Sequence, residues 1–271
     1  MSEHASTQLS SLAVGGLMQP PSMWVLGVRI DLPDVRAAIQ QIQRWIDLRE
    51  SGHFVTLTNV NNVMECQRTP EYMRCSNAAS LSLPDGMPIV WVGALRGIKA
   101  QRIAGPDFMI DFMAQTASRS LRHFFYGGRE EVVQKLTQEV KKRFPNLEIA
   151  GYYSPPFRKL TDEEDRNVVK LINDSKPDVL WVGLGCPKQE LWMYGHRNVL
   201  SVPVMLAVGQ AFDIHAGCLR RAPQWMRENG LEWLFRLLSE PRRLWRRYLV
   251  HGTTFAWKML FEHRGVRKAA F

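Results

Sequence analysis

Between residues 53 and 213 the chain alternates two hydrophobic patterns. Short β-branched or apolar runs fall at 53–58, 81–83, 121–126, 147–153, 178–183 and 202–208. Stretches with helical spacing lie between them, near 60–78, 87–97, 105–119, 129–144, 161–175 and 187–199. Short apolar runs bounded by turn residues predict buried strands, and the longer periodic stretches predict helices. Thr161 followed by Glu164 fits a capping box, which marks one helix start. Strands separated by helices form βαβ units. The pattern therefore predicts an α/β fold, a Rossmann-like and mostly parallel sheet with helices on both faces.

The pattern changes in the last fifth of the chain. Leu234, Leu237, Leu238, Trp245, Tyr248 and Leu249 recur at three- and four-residue steps and form one apolar helical face. Arg236, Arg243 and Arg247 fall on a neighbouring strip, which Arg242 and Arg246 widen. Pro241 cannot donate to a preceding helix, so two helices breaking near Glu240 are expected. A helix with Trp and Leu on one side and Arg on the other suits a membrane interface. A terminal helix that packs its apolar face on the core and solvates its arginines has the same periodicity, and both readings stay open here.

Charge sharpens this division. Residues 215–271 hold 12 basic and 4 acidic side chains, against 23 and 22 in the first 214, so nearly all of the formal +9 sits in the tail. Such asymmetry points to a polyanionic partner: nucleic acid, an anionic membrane surface or a phosphorylated substrate. Nucleic acid is disfavoured, because no recognised binding motif accompanies the basic strip. With 271 residues, 45% hydrophobic and 23% charged, the chain has ordinary globular composition. We divide it into a disordered N-terminal tail (1–22), an α/β domain (23–217) and a basic, amphipathic, membrane-associating helical appendage (218–271). No run approaches the 18 or so apolar residues of a membrane span. Cys66, Cys75, Cys186 and Cys218 show neither CxxC spacing nor a disulfide pattern, which indicates a reducing compartment.

The strand ends concentrate candidate chemistry. They carry Thr58-Asn59, Pro84-Asp85-Gly86, Gly127-Gly128, Ser154-Pro155-Pro156-Phe157, Gly183-Leu184-Gly185-Cys186-Pro187 and Gly209-Gln210-Ala211-Phe212-Asp213. In open α/β sheets ligands bind beyond the carboxyl ends of the strands, where close backbone approach needs glycine and helix N-termini favour anions. Gly183-x-Gly185 lacks the third glycine of a dinucleotide fingerprint. The seven histidines form no HExxH and no DxD pair is present, so no ligand set for a tightly held metal is visible.

Several longer blocks, in order, resemble the WecG/TagA/CpsF family of bacterial glycosyltransferases (glycosyltransferase family 26), over roughly residues 24–250. They are Thr58-Asn59 with Asn61-Asn62, the Pro84-Asp85-Gly86 turn, Arg102 to Gly105-Pro106-Asp107, and Gly183 through Gln189-Glu190 to Trp192. Phe212-Asp213 through Arg221 to Trp225, Gly230 to Trp233, Arg236 and Glu240-Pro241-Arg242-Arg243 follow. The resemblance implies transfer of a sugar (ManNAc, ManNAcA or Glc type) from a UDP-sugar to an undecaprenyl-diphosphate-linked sugar. It also implies inversion at the anomeric centre, no cofactor, and a peripheral place on the cytoplasmic face of the bacterial inner membrane, in cell-surface polysaccharide synthesis.

Inverting transfer needs a base for the acceptor hydroxyl and a stabiliser for the departing diphosphate. Asp85, at a strand end with no acid beside it in sequence, suits the base, and the resemblance implies the same role. Thr58 and Asn59 are expected to hold the acceptor or the sugar by hydrogen bonds, Thr58 within the catalytic set, and the resemblance implies that this polar pair lines the same pocket. Without DxD, arginines must neutralise the diphosphate, a task their bidentate fork suits. The resemblance implies Arg236, Arg243 and Arg246 as those that close over the site. Arg102, Asp107, Gly127, Gly128, Gly183, Gly185, Gln189 and Asp213 complete the expected substrate-binding set. Trp181, Trp192 and Trp225 read as core, and the apolar tail could support a homo-oligomer. Two other classes fit the residues alone: a non-catalytic nucleotide-binding regulator, which does not need Asp85, and a basic interaction protein.

Overall fold

The computed structural model describes residues 20–268, so most of the expected tail, 1–22, lies outside the described residues. The chain enters through an antiparallel hairpin, β1 (Ser22–Val25) and β2 (Val28–Asp31), and a helix, α1 (Val35–Asp47). Neither the hairpin nor α1 was expected. The hairpin strands are four residues each, too short for their alternation to declare a pair, whereas α1 lies upstream of the alternating region with a helical period at Ala38, Ile39, Ile42, Trp45 and Ile46 that was legible.

The expected α/β alternation follows. Strand β3 (His53–Thr58) leads to α2 (Val60–Cys66) and α3 (Pro70–Asn77), then β4 (Leu81–Pro84), α4 (Met87–Leu95) and α5 (Gly105–Thr116). Next come β5 (Arg122–Gly127), α6 (Glu130–Arg143), β6 (Glu148–Tyr153), α7 (Asp162–Asp174), β7 (Val179–Gly183), α8 (Lys188–His196), β8 (Val204–Ala207) and α9 (Ala211–His215). The helix expected over 60–78 is two helices. Pro70 occupies the first turn of α3 and Thr69 before it is extended, so one continuous helix cannot form. The capping box expected at Thr161 is present: its hydroxyl accepts from Glu164 N and the Glu164 carboxylate accepts from Thr161 N.

Six of the strands form one parallel sheet in the order β4-β3-β8-β7-β5-β6. Helices cover both faces, so the inner strands are apolar on both sides, as a buried parallel sheet requires. Phe124 and Phe125 of β5 point to opposite faces. Phe125 packs with Ile42, Phe112 and Trp181, and Phe124 with Ile172, Met193 and Leu180. The chain turns back on itself beside β3 and β8, and in such sheets a crevice opens there at the carboxyl ends.

Beyond residue 217 the chain is helical, as expected, in α10 (Gln224–Glu228), α11 (Glu232–Ser239), α12 (Pro241–Trp245), a π-helical turn (Arg246–Val250) and α13 (His251–Lys268). The expected break falls at Glu240, whose backbone leaves the helical region. This arm crosses the sheet's carboxyl edge. Leu244 and Phe255 are buried, Phe255 among Val25, Tyr72 and Ile89. Much of its apolar surface is not absorbed by the core: Leu238, Trp245, Leu249, Trp257, Leu260 and Phe261 stay exposed. Trp181 and Trp192 pack in the core, whereas Trp225 is 59% exposed, contrary to expectation. Among the described residues no helix is long and apolar enough to cross a membrane.

Candidate active site

A cavity of about 860 Å³ lies between the carboxyl ends of β3, β4, β7 and β8 and the arm. Arg96, Arg102, Arg220, Arg221, Arg227, Arg236 and Arg247 border it, against Asp85, Glu190, Glu232 and Glu240, so its field favours an anion.

Asp85 owes its place to the end of β4. Its N–H donates to the Thr58 carbonyl (2.9 Å), which continues the β3–β4 ladder one residue past the strand. Gly86 then takes φ +85°, a conformation that side chains rarely adopt, and starts α4. The Asp85 carboxylate, now at the foot of the cavity, accepts from Asn59 Nδ2 (3.3 Å). Burial pushes its pKa above the ordinary carboxylate value; the Asn59 amide opposes this, Glu232 adds to it, and Arg102 and Arg236 oppose it. A carboxylate made more basic in this way is better matched to taking a proton near neutral pH. The sequence shows no acid beside Asp85, but the fold brings Glu232 into its field.

Asn59 is the N-cap of α2, and its Oδ1 accepts from Asn61 N, Asn62 N and, at 3.4 Å, Arg247 Nη2. One amide therefore joins Asp85 to the arm. Arg236 reaches across from α11 to the Gln210 side-chain oxygen at the end of β8. Arg102 pairs with Glu232 (3.0 Å), and Asp107 takes a bidentate pair from Arg221 (2.5 and 2.7 Å). Burial works against the Asp107 carboxylate, but Arg221, Arg227 and Arg102 outweigh it and hold its pKa below the ordinary value.

On the floor, Gln189 Oε1 accepts from Gly185 N (3.1 Å), while Gln189 Nε2 and Asn62 Nδ2 both donate to Glu190 Oε1. Burial pushes the Glu190 pKa up, with Gln189, Asn62 and Tyr72 opposing.

The structure thus brings Asp85, Asn59, Arg102, Gly185, Gln189 and Arg236 to one cavity. It places the other expected residues elsewhere. Thr58 is fully buried, its hydroxyl on Ser82 Oγ (2.8 Å), and reaches Asp85 through its carbonyl. Gly127, Gly128 and Gly183 sit where β5 and β7 run close: a Cβ on Gly183 would stand 2.6 Å from the Phe212 ring, and one on Gly127 2.7 Å from the Gly183 carbonyl carbon. Asp107 lies beyond the wall in its ion pair with Arg221, and the Asp213 carbonyl closes the turn to Cys218 and Leu219. Arg243 pairs with Glu240 on the outside, and Arg246 lies over the Trp245 ring.

Of the three arginines expected to close over the site, Arg236 lines the cavity and Arg243 and Arg246 do not; Arg247 lines it in their place. Arg247 is carried on the π-helical turn, in which His251 N bonds back five residues to the Arg246 carbonyl. Burial lowers the Arg247 pKa, and the neighbouring charge of Arg236 lowers it further. The arginine strip read from the spacing did include Arg247; Gln210, Glu190 and Glu232 stood in the strand-end or block patterns with no role attached.

Residues 23–269 match the model of the Glycosyl transferase WecG/TagA/CpsF family. A Bacillus spizizenii protein is 35% identical over 202 residues, covering 74% of this chain and 76% of its own. One from Bacillus subtilis is 30% identical over 209 residues (76% and 78%), and one from Staphylococcus aureus 29% over 247 residues (90% and 94%). All three are named N-acetylglucosaminyldiphosphoundecaprenol N-acetyl-β-D-mannosaminyltransferase.

Proposed function

The chain belongs to the WecG/TagA/CpsF family of glycosyltransferases, and from that premise we propose that it moves an N-acetylmannosamine-type sugar from a UDP-sugar to an undecaprenyl-diphosphate-linked N-acetylglucosamine, inverting the anomeric centre. The relatives' names supply the sugar and the acceptor class. The observation that carries the mechanism is the Asp85 carboxylate at the foot of a cavity ringed by guanidinium groups.

In this reading Asp85 takes the proton from the acceptor hydroxyl as its oxygen bonds to the anomeric carbon. The bond from that carbon to the diphosphate oxygen breaks on the opposite side, and UDP leaves with the electron pair. Asn59 orients Asp85 through its amide. Arg236 and Arg247 neutralise the leaving diphosphate, because their present partners are the neutral amide oxygens of Gln210 and Asn59, which a phosphate oxygen outcompetes. Arg102 is held by Glu232 and shapes the site's field. Arg243 and Arg246, on the outer side beside the exposed Leu238, Trp245 and Leu249, suit lipid headgroups at the cytoplasmic face of the membrane.

The test incubates the full-length chain with a panel of UDP-hexoses and UDP-N-acetylhexosamines and a short-chain N-acetylglucosaminyl-diphospholipid, with and without excess EDTA. The expected result is transfer from one N-acetylhexosamine donor, with inversion, that persists in EDTA. No transfer from any donor overturns the reading. Loss in EDTA with recovery on Mg²⁺ assigns the diphosphate to a metal in place of the arginines.

A further inference from the structure

We propose that the apolar half of the same cavity, between α4 and α13, holds the first isoprene units of the acceptor's lipid chain. The proposal rests on the acceptor class proposed above and adds where the chain runs within the protein.

The cavity has two chemically different ends. Asp85, Asn59, Arg236 and Arg247 lie at one. At the other, α4 presents Met87, Trp91 and Leu95 at four-residue steps, which is one helical face. Opposite it, α13 presents Phe255 and Met259 four residues apart, with Ala256 and Leu260, also four apart, on the adjoining strip. The two faces border one continuous space, and its volume is near the top of the roughly 300–1,000 Å³ that a single bound small molecule needs.

A nucleotide sugar is polar along its whole length and has no use for the apolar end. An amphiphile with a diphosphate between a sugar and a hydrocarbon chain matches both ends at once. The arm aligns them: α13 starts directly after the π-helical turn that carries Arg247, so the guanidinium at the polar end and the apolar stripe are on one rigid element. The outer end leads to the surface, where Leu95 is 79% and Leu260 57% exposed beside Phe261. A single-ended pocket would have no reason to leave such large apolar side chains at its rim. Gly252, in the first turn of α13 beside His251, also lines the cavity, and a Cβ there would meet nothing within 4 Å, so its side of α13 faces open space.

The experiment uses that opening. Gly252→Trp projects an indole into the channel from a helical position. Wild-type and variant full-length chains are assayed without vesicles on two acceptors, N-acetylglucosaminyl diphosphate esterified with a farnesyl group or with a methyl group. Each methylene buried is worth about a factor of four, so the wild type should prefer the farnesyl acceptor in kcat/KM by at least about tenfold. Gly252→Trp should bring that ratio towards one, through a higher KM for the farnesyl acceptor, and leave the donor KM and the methyl acceptor unchanged. Leu95→Asp, on the exposed rim, should give the same split and decides the matter should Gly252→Trp fail to fold. A wild type indifferent to chain length, variants that slow both acceptors equally, or a raised donor KM each overturn the channel. So does an effect that appears only when vesicles are added, because that marks contact with the bilayer. A wild type that uses neither acceptor instead removes the functional reading on which the channel rests.

Discussion

The sheet and the arm are held by opposite kinds of contact. Around the sheet the contacts are dry and apolar: Phe54, Phe124, Phe125, Leu180 and Trp181 are all within 1% of full burial. The arm is anchored by Leu244 and Phe255, and otherwise by polar and charged pairs: Arg102–Glu232, Arg236–Gln210, Arg247–Asn59, His251–Asn61, Lys258–Gln67 and Arg96–Glu262. Apolar burial contributes by area and cannot be exchanged for a ligand without opening the core. Half-exposed polar pairs contribute little net stability, so a ligand's phosphates can replace them at small cost. The difference places exchangeable chemistry at the seam between a rigid edge and a releasable cover. Asp85 belongs to the edge and Arg236 and Arg247 to the cover, and the proposed transfer needs both.

The largest effect should come from the edge. Asp85→Asn keeps shape and removes the proton acceptor, which should lower turnover by about 10²–10⁴ with donor affinity retained. Wild-type turnover in a folded variant would remove Asp85 from the mechanism. The same substitution should stabilise the fold. Burial raises the Asp85 pKa above the unfolded carboxylate value of about 3.9, so the folded chain binds this proton more readily than the unfolded one. That preference favours folding fully below the unfolded pKa and is lost as pH rises through the folded one. Asp85→Asn should therefore melt higher than wild type at pH 7, by roughly 2–4 °C per kcal/mol relieved. The gain should close below about pH 4. Wild-type turnover should fall along an acid limb at that raised pKa, and thermal scans beside a pH–rate profile read both.

The cover should be next. Arg236→Ala and Arg247→Ala should each cost about 10²–10³ in kcat on a short soluble acceptor, as removal of a charge stabiliser in a closed site does. Arg243→Ala and Arg246→Ala should stay within a few-fold on that acceptor and lose vesicle affinity, at about 1 kcal/mol per charge near an anionic surface. The reverse ranking would mean that Arg243 and Arg246 swing inward to the diphosphate and that Arg247 does not serve it.

The same contrast explains what the sequence could disclose. Strands such as 53–58 and 178–183 are legible because burial on both faces demands continuous apolar runs, and the break at Glu240 because Pro241 permits no alternative. Asp85, Asn59 and Gln189 stand out because they occupy strand or helix ends where ligands bind. Arg247 is on the strip that the helical spacing marks, beside Arg236 and Arg243, but the family resemblance points to Arg243 and Arg246 and so passes over Arg247, which lines the cavity. Gly127 and Gly183 look like phosphate-approach glycines, but a glycine needed for close strand packing is identical in sequence to one needed for a ligand. Pairing partners such as Glu232 for Arg102 lie 130 residues apart and carry no local signal.

A substitution at the edge separates those two reasons for glycine. Gly183→Ala puts a methyl 2.6 Å from the Phe212 ring, which is itself fully buried and cannot retreat. Overpacking of this kind costs about 1–3 kcal/mol, or roughly 2–12 °C in Tm at 2–4 °C per kcal/mol. If the glycine serves packing, Tm should fall while the donor KM at 20 °C stays near wild type. An unchanged Tm with a raised donor KM would return Gly183 to the ligand site.

The smallest effect probes the cover's polar hold directly. Arg96 Nη2 and Glu262 Oε2 stand 2.8 Å apart with side chains 26% and 31% exposed. Their coupling should therefore be in the range of about 0.2–1 kcal/mol measured for half-exposed pairs. Melting of the whole chain reads it poorly, because an effect below about 1 kcal/mol shifts Tm by only a few degrees. Limited trypsin digestion reads it better, since the arm is rich in arginine. If opening is fast relative to cleavage, the rate follows the open population. Glu262→Gln should then raise cleavage within 236–258 by about 1.4- to 5-fold at low salt. Raising salt to 1 M, where the screening length is about 3 Å, should bring the wild type up to the variant, and cleavage in the sheet should be unmoved. UDP should slow cleavage of the arm, because its phosphates give Arg236 and Arg247 stronger partners than the amides they now touch. Phe255→Ala is the control from the other class of contact, and its effect should be insensitive to salt. If Phe255→Ala frees the arm while salt and Glu262→Gln leave it closed, then apolar burial holds the cover as it holds the sheet, and ligands at the seam would have no weak contact to replace.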